Sequence, residues 1–174
     1  MNTLIVYGSQ YGTTKRYAER FSEIANLPVT SYENIKDLTE YNRIVHFGGL
    51  YAGGVKGLKN TVKVLPKDTK LIIVTVGLAD ICDEENISNI RKCISRQVPE
   101  NLLKNTIIFH LRGGIDYQKL TFKHRTMMTL LYNKAKRLSE DKKTAEVKAM
   151  IETFNSKVDF VDYNSLNQII EAIK

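Results

Sequence analysis

Residues Thr3–Phe21 read TLIVYGSQYGTTKRYAERF: a short apolar run, a turn rich in glycine and hydroxyls, then an amphipathic helical pattern. A strand ending near Tyr7 that feeds straight into a helix leaves the first backbone N–H groups of the loop and helix unpaired and aimed at one point, where an anion is favoured. Neither the G-x-G-x-x-G turn of dinucleotide folds nor the GxxxxGK[ST] loop of triphosphatases is present in this stretch. Ser9, Thr13 and Thr14 supply O–H donors where those loops carry glycine, and Gly12 allows close approach. That chemistry suits a terminal phosphate monoester better than a buried pyrophosphate. The plainer reading is a capped helix that follows a strand.

Working outward, apolar β-rich runs recur at Leu4–Tyr7, Val29–Tyr32, Arg43–Phe47, Lys70–Val76 and Thr106–Leu111. Helical patterns fall at Thr13–Ala25, Gly57–Val64, Asp83–Arg96 and Tyr163–Ile173. Continuous runs such as Leu71-Ile72-Ile73-Val74 belong to strands covered on both faces, so the pattern predicts an α/β fold. Its form is a doubly wound, five-stranded parallel sheet with helices on each side. Ligands of such sheets sit beyond the carboxyl ends of the strands, and the glycine-rich loops Gly8–Gly12, Gly48–Gly57 and Gly77 all fall there. The 174 residues are read as one domain.

The chain from 113 to 157 exceeds the loop that a minimal fold needs between its last strand and last helix. It reads as a basic amphipathic helical insertion, with a long helix over Tyr117–Leu138, a second piece over Thr144–Asn155 and a returning extended piece at Val158–Val161. Leu120, His124, Met127, Met128, Leu131, Ala135 and Leu138 share one arc of the long helix; Arg125, Thr129, Asn133 and Lys136 share the other. Arg112–Lys148 carries ten Lys and Arg against four Asp and Glu, which is nearly all of the chain's net charge of +7.

No apolar run is long enough to span a bilayer and no basic leader precedes Leu4, so the expectation is a cytoplasmic protein. The basic helix offers peripheral contact with an anionic membrane at its inner face. Cys82 and Cys93 form neither a CxxC pair nor a metal-ligand cluster, and no metal site is expected. The basic residues lack interleaved stacking aromatics, which argues against nucleic acid. Of the three histidines, His46 reads as a core or strand-end residue, His124 as part of the helix, and His110 lies nearest the ligand edge. Asp80, or Asp83 with Glu84 and Glu85, reads as an acidic helix start.

Ser9, Gly12 and Thr14 fit the [ST]-x-x-G-x-T loop of the flavodoxin family, and the chain resembles that family over residues 1 to about 111 and again in its final helix. The resemblance implies FMN as cofactor, with Ser9, Gln10, Tyr11, Gly12, Thr13 and Thr14 around the phosphate. Leu50, Tyr51, Ala52 and Gly53 in one loop, and Val76, Gly77, Leu78, Ala79 and Asp80 in another, would embrace the flavin ring. Tyr51 is the implied stacking aromatic, and a backbone N–H in the Tyr51–Gly53 region would face flavin N5.

Electron-shuttling members of the family are typically acidic, whereas this chain is basic. Gly113 and Tyr117 in Gly-x-x-x-Tyr, followed by Met127-Met128-Thr129-Leu130-Leu131 and later by Val158-Asp159-Phe160-Val161-Asp162-Tyr163, resemble the menaquinone-dependent protoporphyrinogen oxidase branch. That resemblance implies a porphyrinogen substrate and a quinone acceptor, with Lys and Arg pairing propionates or lipid headgroups. The other readings are an electron carrier serving a redox protein partner, and an interaction module that has lost the flavin.

Overall fold

The computed structural model describes residues 1–51 and 53–174. Strand β1 (Thr3–Gly8) leads into α1 (Thr13–Ala25) and lies between β2 (Val29–Ser31) and β3 (Arg43–Tyr51), parallel to both. β3 folds back as a hairpin onto the two-residue β4 (Gly54–Val55) before α2 (Leu58–Lys63). β5 (Lys70–Gly77), α3 (Glu84–Ser95), the short α4 (Glu100–Leu103) and β6 (Ile107–Arg112) follow, and the parallel strands take the order β2-β1-β3-β5-β6. The register sets Ile5 beside Val29 and Val45, Val45 beside Ile72, and Ile72 beside Ile107.

Strand residues alternate between two cores because successive side chains point to opposite faces. Ile5, Val45, Phe47, Ile72 and Val74 pack with Tyr17 and Phe21 of α1 and Ile169 of the last helix, α7 (Asn167–Ile173). On the other face Leu4, Val6, Ile44, Leu71 and Ile73 pack with Leu58 of α2 and Ile90 and Ile94 of α3. Each such buried aliphatic or aromatic side chain contributes about 1.5–3 kcal/mol. The spacing of Thr14, Tyr17, Ala18 and Phe21 gives α1 its one buried stripe.

Two glycines shape the loop end of β1. Gly12 precedes α1 at φ 91°, a left-handed conformation that a Cβ disfavours. A Cβ on Gly8 would stand 2.1 Å from the Lys56 carbonyl oxygen, so glycine lets the turn after β4 rest against β1.

The insertion leaves the sheet through β7 (Gly114–Asp116), which pairs antiparallel with β8 (Lys157–Asp159); α5 (Phe122–Lys136) and α6 (Ala145–Glu152) lie between them. The helix expected over Tyr117–Leu138 is therefore shorter at its start. Asp116 accepts the Gln118 N–H at 3.0 Å, Tyr117–Lys119 forms a 3₁₀ turn, and the Thr121 hydroxyl caps α5 by accepting the His124 N–H at 3.3 Å. The apolar arc is also less covered than its period suggests: Leu120, Met128 and Ala135 are buried, while Leu131 is 43% exposed. The last helical stretch divides into a 3₁₀ turn at Tyr163–Leu166 and α7. Ile115, Tyr117, Leu120 and Met128, backed by Met150, Phe154 and Val158 of the insertion and by Tyr11 and Leu78 of the sheet's loops, make a third small core where the insertion meets the sheet's edge. Among the described residues no helix is long and apolar enough to cross a membrane.

Candidate functional site

At the carboxyl ends of β1, β3 and β5 a cavity of about 340 Å³ opens between the sheet and the insertion. Its floor is the turn between β1 and α1. The Gly12 N–H donates to Ser9 Oγ at 3.1 Å, which curls the turn, and the first turn of α1 carries no acidic residue to oppose an anion. The Thr14 hydroxyl is buried against Gly49, with 2.9 Å between its oxygen and the place a Gly49 Cβ would occupy. The Thr13 side chain also lines the cavity, but its hydroxyl donates to the Gly114 carbonyl at 3.0 Å and so ties the turn to β7.

Gln10 is a bridge. Its Oε1 accepts from Lys56 Nζ, which leaves Nε2 to donate to His124 Nε2 at 2.8 Å. With its Nε2 accepting, His124 carries its proton on Nδ1, 3.1 Å from the Thr121 hydroxyl. The bridge links the phosphate-type turn, the hairpin and α5.

Tyr51 stands on the cavity wall with its hydroxyl 3.3 Å from Met127 Sδ and Lys56 Nζ 5.5 Å from its ring centroid. Tyr11 meets it edge-on, with centroids 6.3 Å apart at 74°. Burial, with Tyr51 and Tyr117 adding to it, pushes the Tyr11 phenol up to about 12, so it remains a neutral donor at every ordinary pH. The hydroxyls of Tyr11 and Tyr117 are buried, and neither has a partner among the described residues.

The third wall is the loop after β5. Val76, Gly77 and Leu78 line the cavity, and the N–H groups of Leu78 and Ala79 donate to the two carboxylate oxygens of Glu146 at 3.1 and 3.0 Å. The roof comes from the insertion: Ile115 of β7, Met127, Met128 and Leu131 of α5, and Val147 and Met150 of α6.

Of the positions expected around the cofactor, Ser9, Gln10, Tyr11, Thr13, Thr14, Leu50, Tyr51, Val76, Gly77 and Leu78 converge on this cavity. Gly12, Gly53, Ala79 and Asp80 do not line it. Gly12 shapes the turn, Gly53 holds the hairpin bend at φ 77°, and Ala79 is buried with its N–H on Glu146. Asp80 is a loop brace that accepts the Cys82 N–H at 2.9 Å and, through its carbonyl, the Asn86 amide at 2.8 Å. Ala52 lies outside the described residues.

His46 is fully buried between the Lys56 carbonyl at 3.0 Å and the Thr61 hydroxyl at 3.0 Å; burial lowers it to about 4. His110, the histidine nearest the ligand edge in sequence, is outside the cavity lining. It pairs with the Thr75 hydroxyl at 2.7 Å and is held down to about 4 by burial and then by Arg91. Asp83 caps α3 through the Asn86 N–H at 3.1 Å. No group of acidic, histidine or cysteine side chains able to hold a metal occurs among the described residues. The positions that sequence reasoning passed over include Gly114, Ile115, Glu146, Val147 and Met150, which enter because the insertion folds back across the sheet's edge.

A doubly wound parallel sheet in the order 2-1-3-4-5, with a hydroxyl-lined turn after its first strand and two loops walling a cavity beside it, defines a flavodoxin-like flavin-binding class. The chain belongs to the Flavodoxin domain family, whose pattern it matches over residues 4–143. Comparison with curated proteins gave no match. Among solved structures it is similar to a Lactobacillus acidophilus flavoprotein in complex with FMN, at 12% identity over 64% of this chain and 91% of that one, with a TM-score of 0.44. It is likewise similar to a Pseudomonas aeruginosa flavodoxin, at 17% identity over 75% of this chain and 93% of that one, TM-score 0.42. A Bacillus anthracis azoreductase shows 10% identity over 86% and 94%, TM-score 0.45.

Family membership supports FMN as the cofactor, and the residues present fit it. The cavity volume falls in the range of cofactor sites, the turn offers hydroxyl and N–H donors without a competing carboxylate, and the buried Tyr11 hydroxyl on the cavity lining has no partner among the described residues.

Proposed function

We propose that this chain is an FMN-dependent oxidoreductase whose substrate is a flat, largely apolar molecule. The observation that carries this reading is the roof. Ile115, Met127, Met128, Leu131, Val147 and Met150 cover the cavity with side chains that a bare flavodoxin sheet has no need of. Bound FMN would supply transfer of an electron pair. The chain's own residues would fix the phosphate through Ser9, Thr14 and the amides of the turn, present the Tyr51 ring and keep water out with the methionines.

The finer form of the proposal is oxidation of a porphyrinogen with a quinone as acceptor. An apolar wall suits either ring system, and the positive charge gathered on the same insertion suits propionate carboxylates. Phe122 is 87% exposed and Leu130 65%, beside the exposed Lys119, Lys123 and Lys134, which favours peripheral contact with anionic lipid where a quinone resides. The second reading is an electron carrier, which would have to use the same basic segment to dock an acidic redox protein, the reverse of the charge that electron-shuttling flavodoxins carry.

Anaerobic stopped-flow mixing of the FMN-loaded protein with protoporphyrinogen, with and without a menaquinone analogue, tests the choice. Quinone-dependent porphyrin formation supports the oxidase. A flavin that stays oxidised toward porphyrinogen, yet is reduced and reoxidised by an acidic redox protein, supports the carrier.

A further inference from the structure

Glu146 is the only charged side chain among the described residues that line the cavity. Its oxygens are fixed by the Leu78 N–H at 3.1 Å and the Ala79 N–H at 3.0 Å, so it is aimed by backbone rather than by a flexible counter-charge. It takes part in none of the ion pairs of the described residues. A carboxylate oxygen that accepts one N–H has lone-pair capacity left. An anionic acceptor held against a cavity otherwise walled by apolar and neutral groups is most stable when the ligand brings it a donor.

The flavin ring carries one such donor, the imide N3–H, set between two carbonyl acceptors. The loop after β5 therefore presents a carboxylate to that edge, delivered by α6 and anchored on the Leu78 and Ala79 N–H groups, which it occupies. We propose that Glu146 accepts the imide N–H of the bound flavin and so makes the insertion part of the cofactor site. This rests on the FMN reading above. It also carries an electrostatic consequence. Reduction of the ring by two electrons and one proton leaves it anionic, whereas two electrons and two protons leave it neutral. A fixed carboxylate beside the ring disfavours the anion and holds the midpoint potential more negative than a neutral residue would.

Wild type, Glu146→Gln and Glu146→Ala are titrated with FMN and with 3-methyl-FMN, which lacks the imide proton, following flavin fluorescence. Apo-protein melting and the midpoint potential are measured alongside. Wild type is expected to prefer FMN about tenfold, the scale of a charge-assisted hydrogen bond opposed by desolvation. In Glu146→Ala the preference collapses toward one, and in Glu146→Gln the potential moves positive while melting is retained. A preference that is the same in wild type and Glu146→Ala overturns the proposal and leaves Glu146 as a tether between α6 and the loop. Wild type that binds neither flavin overturns the cofactor reading and this proposal with it; wild type that binds both equally overturns this proposal alone.

Discussion

Replacing Gly8 with alanine tests the idea that the cavity depends on a backbone-to-backbone contact. The new Cβ would stand 2.1 Å from the Lys56 carbonyl oxygen, 2.6 Å from its carbon and 3.2 Å from the Gly57 nitrogen. None of these atoms belongs to a side chain that can rotate away. The Lys56 carbonyl is also the acceptor for His46 Nε2 at 3.0 Å, and the Lys56 N–H donates to Gly49 O at 2.9 Å, so moving the turn disturbs two further bonds. Overpacking costs about 1–3 kcal/mol, and with a carbonyl in the way the upper end applies, near 3 kcal/mol. For a chain of this size each kcal/mol lowers Tm by about 2–4 °C, which gives a fall of about 6–12 °C for the apo protein in a circular-dichroism melt. FMN affinity should fall too, because the same turn sets Lys56 against Gln10. A Gly8→Ala protein that melts within about 2 °C of wild type and binds FMN equally refutes the reasoning.

Thr14→Val removes one hydroxyl from the turn and keeps its shape; FMN binding should weaken about tenfold or more by fluorescence titration while apo melting stays put. His46 is held below its unfolded value of 6.5, at about 4, so its contribution to stability is full above pH 6.5 and lost as the pH falls through 4. That loss is about 3 kcal/mol, and urea unfolding at stepped pH should show a flatter profile in His46→Gln. Tyr17 donates to the Arg112 carbonyl at 2.9 Å and accepts the Asp162 N–H at 2.9 Å, so Tyr17→Phe leaves two partners unpaired. The expected cost is about 2 kcal/mol, read as an unchanged urea m-value with a lower midpoint. Met150→Asp places a charge in the roof and should abolish turnover of an apolar substrate more than it weakens FMN.

The sheet and the first turn were legible because their signals are local. Leu71-Ile72-Ile73-Val74 is buried throughout, and Ser9, Gly12 and Thr14 fall within six residues. The hairpin at Gly54–Val55 was hidden inside a glycine-rich stretch that reads equally well as plain loop. The extra length given to the insertion's first helix came from Leu120, whose apolar period continues the pattern while Asp116 and Thr121 break the backbone on either side. Glu146 could not be found from sequence. It lies 68 residues from Leu78, and nothing local in Ala145–Glu152 marks one acid as the partner of a distant loop.

The paired strands β7 and β8 close the insertion at its own base, with Phe160 N donating to Gly113 O at 3.0 Å and Arg16 reaching Asp159 at 2.8 Å. The small core above that base is shared with Tyr11 and Leu78 of the sheet's loops. Opening of that seam, with release of the Thr13, Gln10 and Glu146 ties, leaves the parallel sheet folded, so the amides of α5 and α6 are expected to exchange with solvent by sub-global opening ahead of those in β3 and β5. Escape of a bound cofactor from beneath α5 and α6 then becomes a gated process. Its residence time is set by how often that flap lifts, and tightening the flap lengthens it without any new contact to the ring.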